Sequence, residues 1–319
     1  MRPEHGRNPA HRLRYGLIYL KLSLASLLWG GNYTAGRLVA AELPPFSAAF
    51  LRFLIASLLL LLLSLLRRRA LPAPRGRQLG LLLLLALSGV FLFNLFYFAG
   101  LGRVYASRGS VIIALSPGMV ALGSALIFRQ KISAKTVLGL LVALAGTVWV
   151  ITGGRPQALL TGSLGWGEIF LTLAMLCWSV YSLAGKSAMR ELSPLTAISW
   201  SCWLGTLGLA AGALWEGGLA GWRSFSLQVW CGTLYLGALG TVLALLIYYQ
   251  GIQRCGPTRA AVFINLVPVW AIALGVLLLG ETLSPALLFG AAAVITGISL
   301  TGRRSRSGRF NPPGRDTSR

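Results

Sequence analysis

The chain is poor in acid. It carries only seven Asp and Glu residues against 29 Lys and Arg, and no carboxylate falls in the middle of an apolar run. Paired-carboxylate chemistry inside such a run therefore has no residues to use. Both histidines, His5 and His11, stand in the N-terminal segment, which excludes a histidine metal site within the apolar part of the chain. The four cysteines, Cys177, Cys202, Cys231 and Cys255, form no CxxC pair, so neither a zinc ribbon nor a disulfide framework is expected. Charge of any sign is scarce, 11% of residues, where a soluble domain has about 25%.

Apolar sequence takes the place of charge. Runs such as Leu54–Leu66 and Leu79–Ala86 exceed what the core of a soluble domain of this size could hide. Crossing a bilayer takes about 20 apolar residues, and the chain has room for about ten such spans joined by short loops. The predicted spans are Leu17–Val39, Phe46–Leu66, Leu79–Gly100, Ser107–Phe128, Ser133–Ile151, Trp166–Met189, Pro194–Leu214, Val229–Ile252, Thr258–Gly280 and Ser284–Thr301. The first run is too long for the apolar part of a secretory signal and lacks a cleavage pattern, so it reads as a span. The polar, arginine-rich stretch after Thr301 reads as a disordered tail. No cofactor is expected.

A net charge of +22 first suggests nucleic acid, but the arginines lie in tails and short loops and form no folded basic face. They follow topology instead. With the N-terminus in the cytoplasm, Arg2, Arg7, Arg12 and Arg14 fall inside. So do Arg67, Arg68, Arg69, Arg75 and Arg77, then Arg129, Lys131, Lys135, Lys186, Arg190, Arg254 and Arg259, and the tail. Arg103, Arg108, Arg155 and Arg223 remain outside, with Arg37 near a span end. This bias predicts an even number of spans with both termini cytoplasmic.

The halves repeat each other. At a spacing of 149 residues, Trp29 matches Trp178, Gly36 matches Gly185, Glu42-Leu43 matches Glu191-Leu192 and Pro45 matches Pro194. At 151, Tyr97 matches Tyr248, Gly100 matches Gly251, Pro117 matches Pro268, Gly139 matches Gly290 and Gly146 matches Gly297. Five spans per half is an odd number, so the second half enters the membrane inverted. Such repeats characterise secondary transporters, whose site lies near the midplane between halves. The expected organisation is an N-terminal tail 1–16, a first repeat 17–151, a linker 152–165, a second repeat 166–301 and a C-terminal tail 302–319.

Several stretches resemble the EamA type of the drug/metabolite transporter superfamily. They are Leu27–Arg37 (LLWGGNYTAGR), Pro44–Leu62 with its Arg52-Phe53, Tyr105–Ser133, and Gly256–Ser284 with the LGE ending at Glu281. The resemblance implies ten helices in two repeats and a central cavity lined mainly by helices 1, 3, 4, 6, 8 and 9. It also implies export or exchange of small metabolites, amino acids among them, in a bacterial cytoplasmic membrane. One departure is Phe128-Arg129-Gln130, where the family's first half usually ends LGE-like. Proton antiporters of the small multidrug type use a buried glutamate in the first helix, which this chain lacks. Glu168, near the start of the sixth span, is the nearest substitute.

Polar groups inside a span are costly unless paired or wetted. Trp29 and Asn32, around the Gly30-Gly31 pair, and Trp178 and Tyr181 in the other half are therefore expected to face the cavity. Asn94 and Tyr97 share a helix face, and Tyr248 is the counterpart of Tyr97. Ser116-Pro117 and Asn265 with Pro268 fall mid-span, where a proline frees a carbonyl and permits a kink that can bind or gate. Each has a plainer reading as packing, kink or interface belt. Arg52, two turns into the second span, is expected to snorkel or to meet a helix-end carbonyl, a structural role.

The function these features predict is a secondary transporter, an exporter of small metabolites. Its partners are a small-molecule substrate and the lipid bilayer, with no nucleic acid; a monomer suffices. Neutral amides and aromatics favour zwitterionic or uncharged substrates. Two other classes compete. A non-transporting receptor or scaffold has no need of inverted symmetry. An intramembrane enzyme needs a nucleophile–base pair or a metal that the spans do not supply.

Overall fold

A computed structural model describes residues 9–66, 71–127, 133–155, 157, 165–255 and 257–301. Arg67, Arg68, Arg69, the Phe128-Arg129-Gln130 segment, most of the linker, Arg2, Arg7 and the tail from residue 302 lie outside the described residues. Within them the chain is helical, without strands. The helices are α1 (Pro9–Glu42), α2 (Pro45–Leu66), α3, α4, α5 (Ala134–Ile151), α6 (Trp166–Ala188), α7 (Pro194–Glu216), α8, α9 and α10 (Pro285–Thr301). Four are irregular. Helix α3 runs Arg77–Leu85, widens into a π-helical stretch at Ala86–Leu92 and ends as Phe93–Leu101. Helix α8 does the same over Leu227–Leu234, Tyr235–Leu243 and Ala244–Cys255. Helix α4 is split into Ala106–Ile113 and Ser116–Ile127, and α9 into Pro257–Ile264 and Val267–Leu279.

Among the described residues, eight helices are long and apolar enough to cross a membrane; Pro285–Leu300 is apolar but shorter. Helix α1, 34 residues long, extends beyond its predicted span at both ends, because helix propensity continues into polar sequence once the apolar part is anchored.

Local chemistry sets the ends. Ser133, Ser193 and Ser226 cap α5, α7 and α8 by accepting from the amides of Thr136, Thr196 and Val229 at 3.2, 3.2 and 3.3 Å. Gly217 and Gly280 stop α7 and α9 at φ of 70° and 65°, a left-handed conformation that glycine adopts without strain.

Helices pack in two sets. One joins α3, α4 and α6; the other joins α1, α8 and α9. Helices α2 and α7 pair with each other and touch the π stretches of α8 and α3. Helices α5 and α10 pair at the periphery, so closely that a Cβ on Gly146 would lie 2.7 Å from Gly290 O, and one on Gly290 would lie 2.6 Å from Gly146 O.

Candidate functional site

The π stretches create the site. A π-helical turn pairs each amide five residues back, which widens the helix and leaves carbonyls available to side chains. In α3, Asn94 Nδ2 donates to Gly89 O and Val90 O at 3.2 and 2.9 Å. In α8, Thr241 Oγ1 donates to Leu236 O at 2.8 Å. Asn32 Nδ2, from α1, donates to Gly240 O at 3.4 Å. Gly240 is required there, because a Cβ would overlap Asn32 Oδ1.

Between the two π stretches lies Arg52 of α2, 7% exposed. Its Nη1 donates to Asn94 Oδ1 at 3.1 Å, and its Nε and Nη2 both donate to Thr241 Oγ1 at 3.2 Å. The rings of Phe53 and Tyr97 flank it at 5.4 and 5.8 Å from Cζ. This corrects the expectation of a snorkelling arginine: the side chain turns inward, where neutral oxygens on two other helices receive it. Among the described residues the ion pairs are Arg77–Glu191 and Arg108–Glu168, so no carboxylate neutralises Arg52.

An aromatic column continues from Arg52. Tyr97 meets Tyr33 edge-on at 5.6 Å and stacks on Phe93 at 5.5 Å. Phe93 meets Trp178 at 5.2 Å, and Trp178 stacks on Tyr181 at 5.1 Å. Tyr181 lies against Gly89, whose missing side chain leaves room for the ring. Buried polar atoms without a hydrogen-bond partner among the described residues include Tyr97 Oη in this column, and Asn32 Oδ1 and Thr34 Oγ1 on α1.

The structure thus puts Asn94 and Tyr97 against Arg52, Asn32 on Gly240 next to Thr241, and Trp178 and Tyr181 at the far end of the aromatic column. Trp29 and Tyr248 form a separate edge-on pair at 5.1 Å between α1 and α8. Ser116 is buried, and its carbonyl accepts from Ser179 Oγ of α6 at 3.5 Å. Asn265 lies in the break of α9 and donates to Ser299 Oγ of α10 at 3.3 Å, a peripheral contact. Pro117 and Pro268 each follow a break, at 114–115 and 265–266. Sequence reasoning did not single out Thr241, Tyr33 or Phe93, and it directed the Arg52 side chain toward a helix end rather than inward. An arginine seven residues inside an apolar helix was the available signal; Thr241 gave none, because a lone threonine in a span usually bonds its own helix.

At the end of the bundle where α1 finishes and α2 begins, carboxylates tie helices together. Glu281 accepts from the amides of Ala106 and Ser107, the first of α4, at 2.6 and 3.0 Å. Glu216 accepts from Ser47 N at 2.9 Å and Phe46 N at 3.4 Å at the start of α2. Glu168 is buried and paired with Arg108 at 2.7 Å, which makes it a structural contact. At the opposite end, Pro72, Ala73, Arg75, Arg77, Gln78 and Glu191 line an open, charged recess remote from Arg52. Among the described residues no group of three or more His, Cys, Asp or Glu could hold a metal.

These features define a multi-pass helical membrane protein with a polar centre between its helices. The EamA-like transporter family matches residues 16–152 and again residues 165–303, and the chain belongs to that family. A Synechocystis protein described as an uncharacterized transporter is 30% identical over 303 residues, covering 90% of each chain. The Bacillus subtilis uncharacterized transporter YyaM is 24% identical, covering 92% of this chain and 96% of its own length. A solved crystal structure shares the fold with a TM-score of 0.61 at 22% identity, over 89% of this chain and 97% of that one. The protein is accordingly a non-enzymatic membrane transporter of the EamA family.

Proposed function

We propose that the chain is a secondary transporter that exports small metabolites across the bacterial cytoplasmic membrane. It works by alternating access between two inverted five-helix halves, residues 17–151 and 166–301, with both termini in the cytoplasm. The substrate cavity lies among Trp29, Asn32, Asn94, Tyr97, Ser116, Trp178, Tyr181 and Tyr248, and the helix breaks before Pro117 and Pro268 act as hinges.

One observation carries the reading. Both halves depart from regular helix at corresponding places. The π stretch at Ala86–Leu92 corresponds to that at Tyr235–Leu243, 149 residues apart at their starts and 151 at their ends, and the break at 114–115 corresponds to that at 265–266 at the spacing of 151 that also relates Pro117 to Pro268. Irregular backbone inside a membrane is tolerated where it lines a cavity or is buried in protein. The packing is unequal at the two ends. Helix α9 packs on the first part of α4, and α1 packs on α3 and α4. Among the described residues there is no comparable packing of α6 on α8, or of the second part of α4 on the first part of α9. Helices that meet at one end and diverge at the other suit one state of an alternating cycle.

Purified protein in proteoliposomes, offered amino acids and related metabolites with and without a pH gradient, tests this. The expected result is flux of one chemical class, weakened by Trp178→Ala. Absence of flux for every class, from protein shown to be folded, would favour a receptor or scaffold instead.

A further inference from the structure

We infer that Arg52 is the anchor for a carboxylate on the transported molecule, with Tyr97 completing the subsite, so that the substrates are small organic carboxylates. This rests on the transporter reading and deepens it.

A guanidinium presents five N–H donors and keeps its charge in any protein environment. Here three of those donors find two oxygens, Thr241 Oγ1 and Asn94 Oδ1. Both oxygens are neutral. Both residues are held in place by other bonds, Thr241 to Leu236 O and Asn94 to Gly89 O and Val90 O. The arginine is thus oriented by groups that leave its charge uncompensated. An isolated charge at this depth is costly, and one retained there marks a functional site by default.

The second observation is Tyr97. The residue is 2% exposed, its ring lies beside the guanidinium, and its hydroxyl has no partner. A carboxylate offers about four lone-pair positions in a plane, matching the arginine fork with capacity left for a phenol O–H. One residue along α8 from Thr241, Asn32 Oδ1 is an unpartnered acceptor beside Gly240, suited to a donor group on the same molecule. A single cation in the cluster fits a monoanionic carboxylate better than a phosphate, which would call for more positive charge.

The competing account makes Arg52 only a tie between α2, α3 and α8. The two differ in ligand dependence. The test measures thermal unfolding of the purified full-length protein against a panel of small metabolite carboxylates, each paired with its amide. At least one carboxylate should raise the unfolding temperature in a saturable way while its amide does not. Loss of a charge-assisted pair should weaken that affinity about tenfold or more in Arg52→Gln. Arg52→Lys, which keeps the charge but loses the fork, should fall between. Tyr97→Phe removes only an unpaired hydroxyl, so its fold is safe, and it should weaken carboxylate affinity while leaving the unliganded unfolding temperature nearly unchanged. Stabilisation by amides equal to that by acids, no stabilisation by any acid, or full carboxylate affinity in Tyr97→Phe and Arg52→Lys would overturn the inference. Flux of uncharged compounds in proteoliposomes, with carboxylates excluded, would overturn it while leaving transport intact. Carboxylate binding without flux of anything would uphold the subsite and refute the transporter reading.

Discussion

Glu281 is the carboxylate whose removal should matter most for the integrity of the bundle. It is 5% exposed and accepts from two successive amides, Ala106 N at 2.6 Å and Ser107 N at 3.0 Å. Those amides open α4, where no earlier helical carbonyl exists to receive them. Glu281→Ala leaves both unsatisfied in a buried place, at about 1–3 kcal/mol each. Water reaching the end of the bundle recovers part of that, so a net loss of about 3 kcal/mol is expected. Glu281→Gln keeps one acceptor oxygen but loses the interaction of a full charge with the helix N-terminus, and should lose about 1–2 kcal/mol. Glu42 is the control: it is exposed and holds one bond, from Ser226 Oγ at 2.6 Å, so Glu42→Gln should stay within about 0.5 kcal/mol. Reversible unfolding by SDS in mixed micelles measures all three. If Glu281→Ala proves no more harmful than Glu42→Gln, the carboxylate does not hold α4, and the reasoning fails.

Three further outcomes are expected. Gly240→Ala places a methyl on Asn32 Oδ1 and should destabilise by about 1–3 kcal/mol in the same unfolding assay, with loss of flux through the displaced α1–α8 contact. Glu168→Gln and Arg108→Gln should each destabilise, and the double variant less than the sum; a double-mutant cycle should give a coupling of about 1 kcal/mol, because the glutamate is buried while the arginine is partly exposed. Gly290→Leu should separate α5 from α10, where each backbone fills the space a side chain would need, and lower the SDS concentration of half-unfolding.

Part of the polar cluster around Arg52 could be picked out in advance for one reason: polar residues are conspicuous in apolar sequence. Asn32, Asn94 and Tyr97 stood out by type and helical spacing; the structure places Asn94 and Tyr97 against Arg52, and Asn32 on the carbonyl of Gly240 next to Thr241. Asn265 stood out equally, yet its amide turns to Ser299 at the periphery. Residue type alone does not say which face of a broken helix a side chain takes. Arg52 was visible, but its proximity to one end suggested escape to water. Its inward course depends on Thr241, 189 residues away, whose hydroxyl is turned toward it by a π stretch.

The sequence by itself determined what depends on composition and on order along the chain. Apolar runs set the spans, and spacings of 149 and 151 residues revealed the repeat. Tertiary structure alone decided where helices widen, which carboxylates reach the amides of distant helices, and which buried charge stays without an opposite charge. The carboxylate-to-amide contacts join residues 169 to 175 positions apart, from Glu216 with Ser47 to Glu281 with Ala106. A side chain's cost of burial is a property of its type, but its partners are a property of packing, and packing is settled only when all the helices are in place.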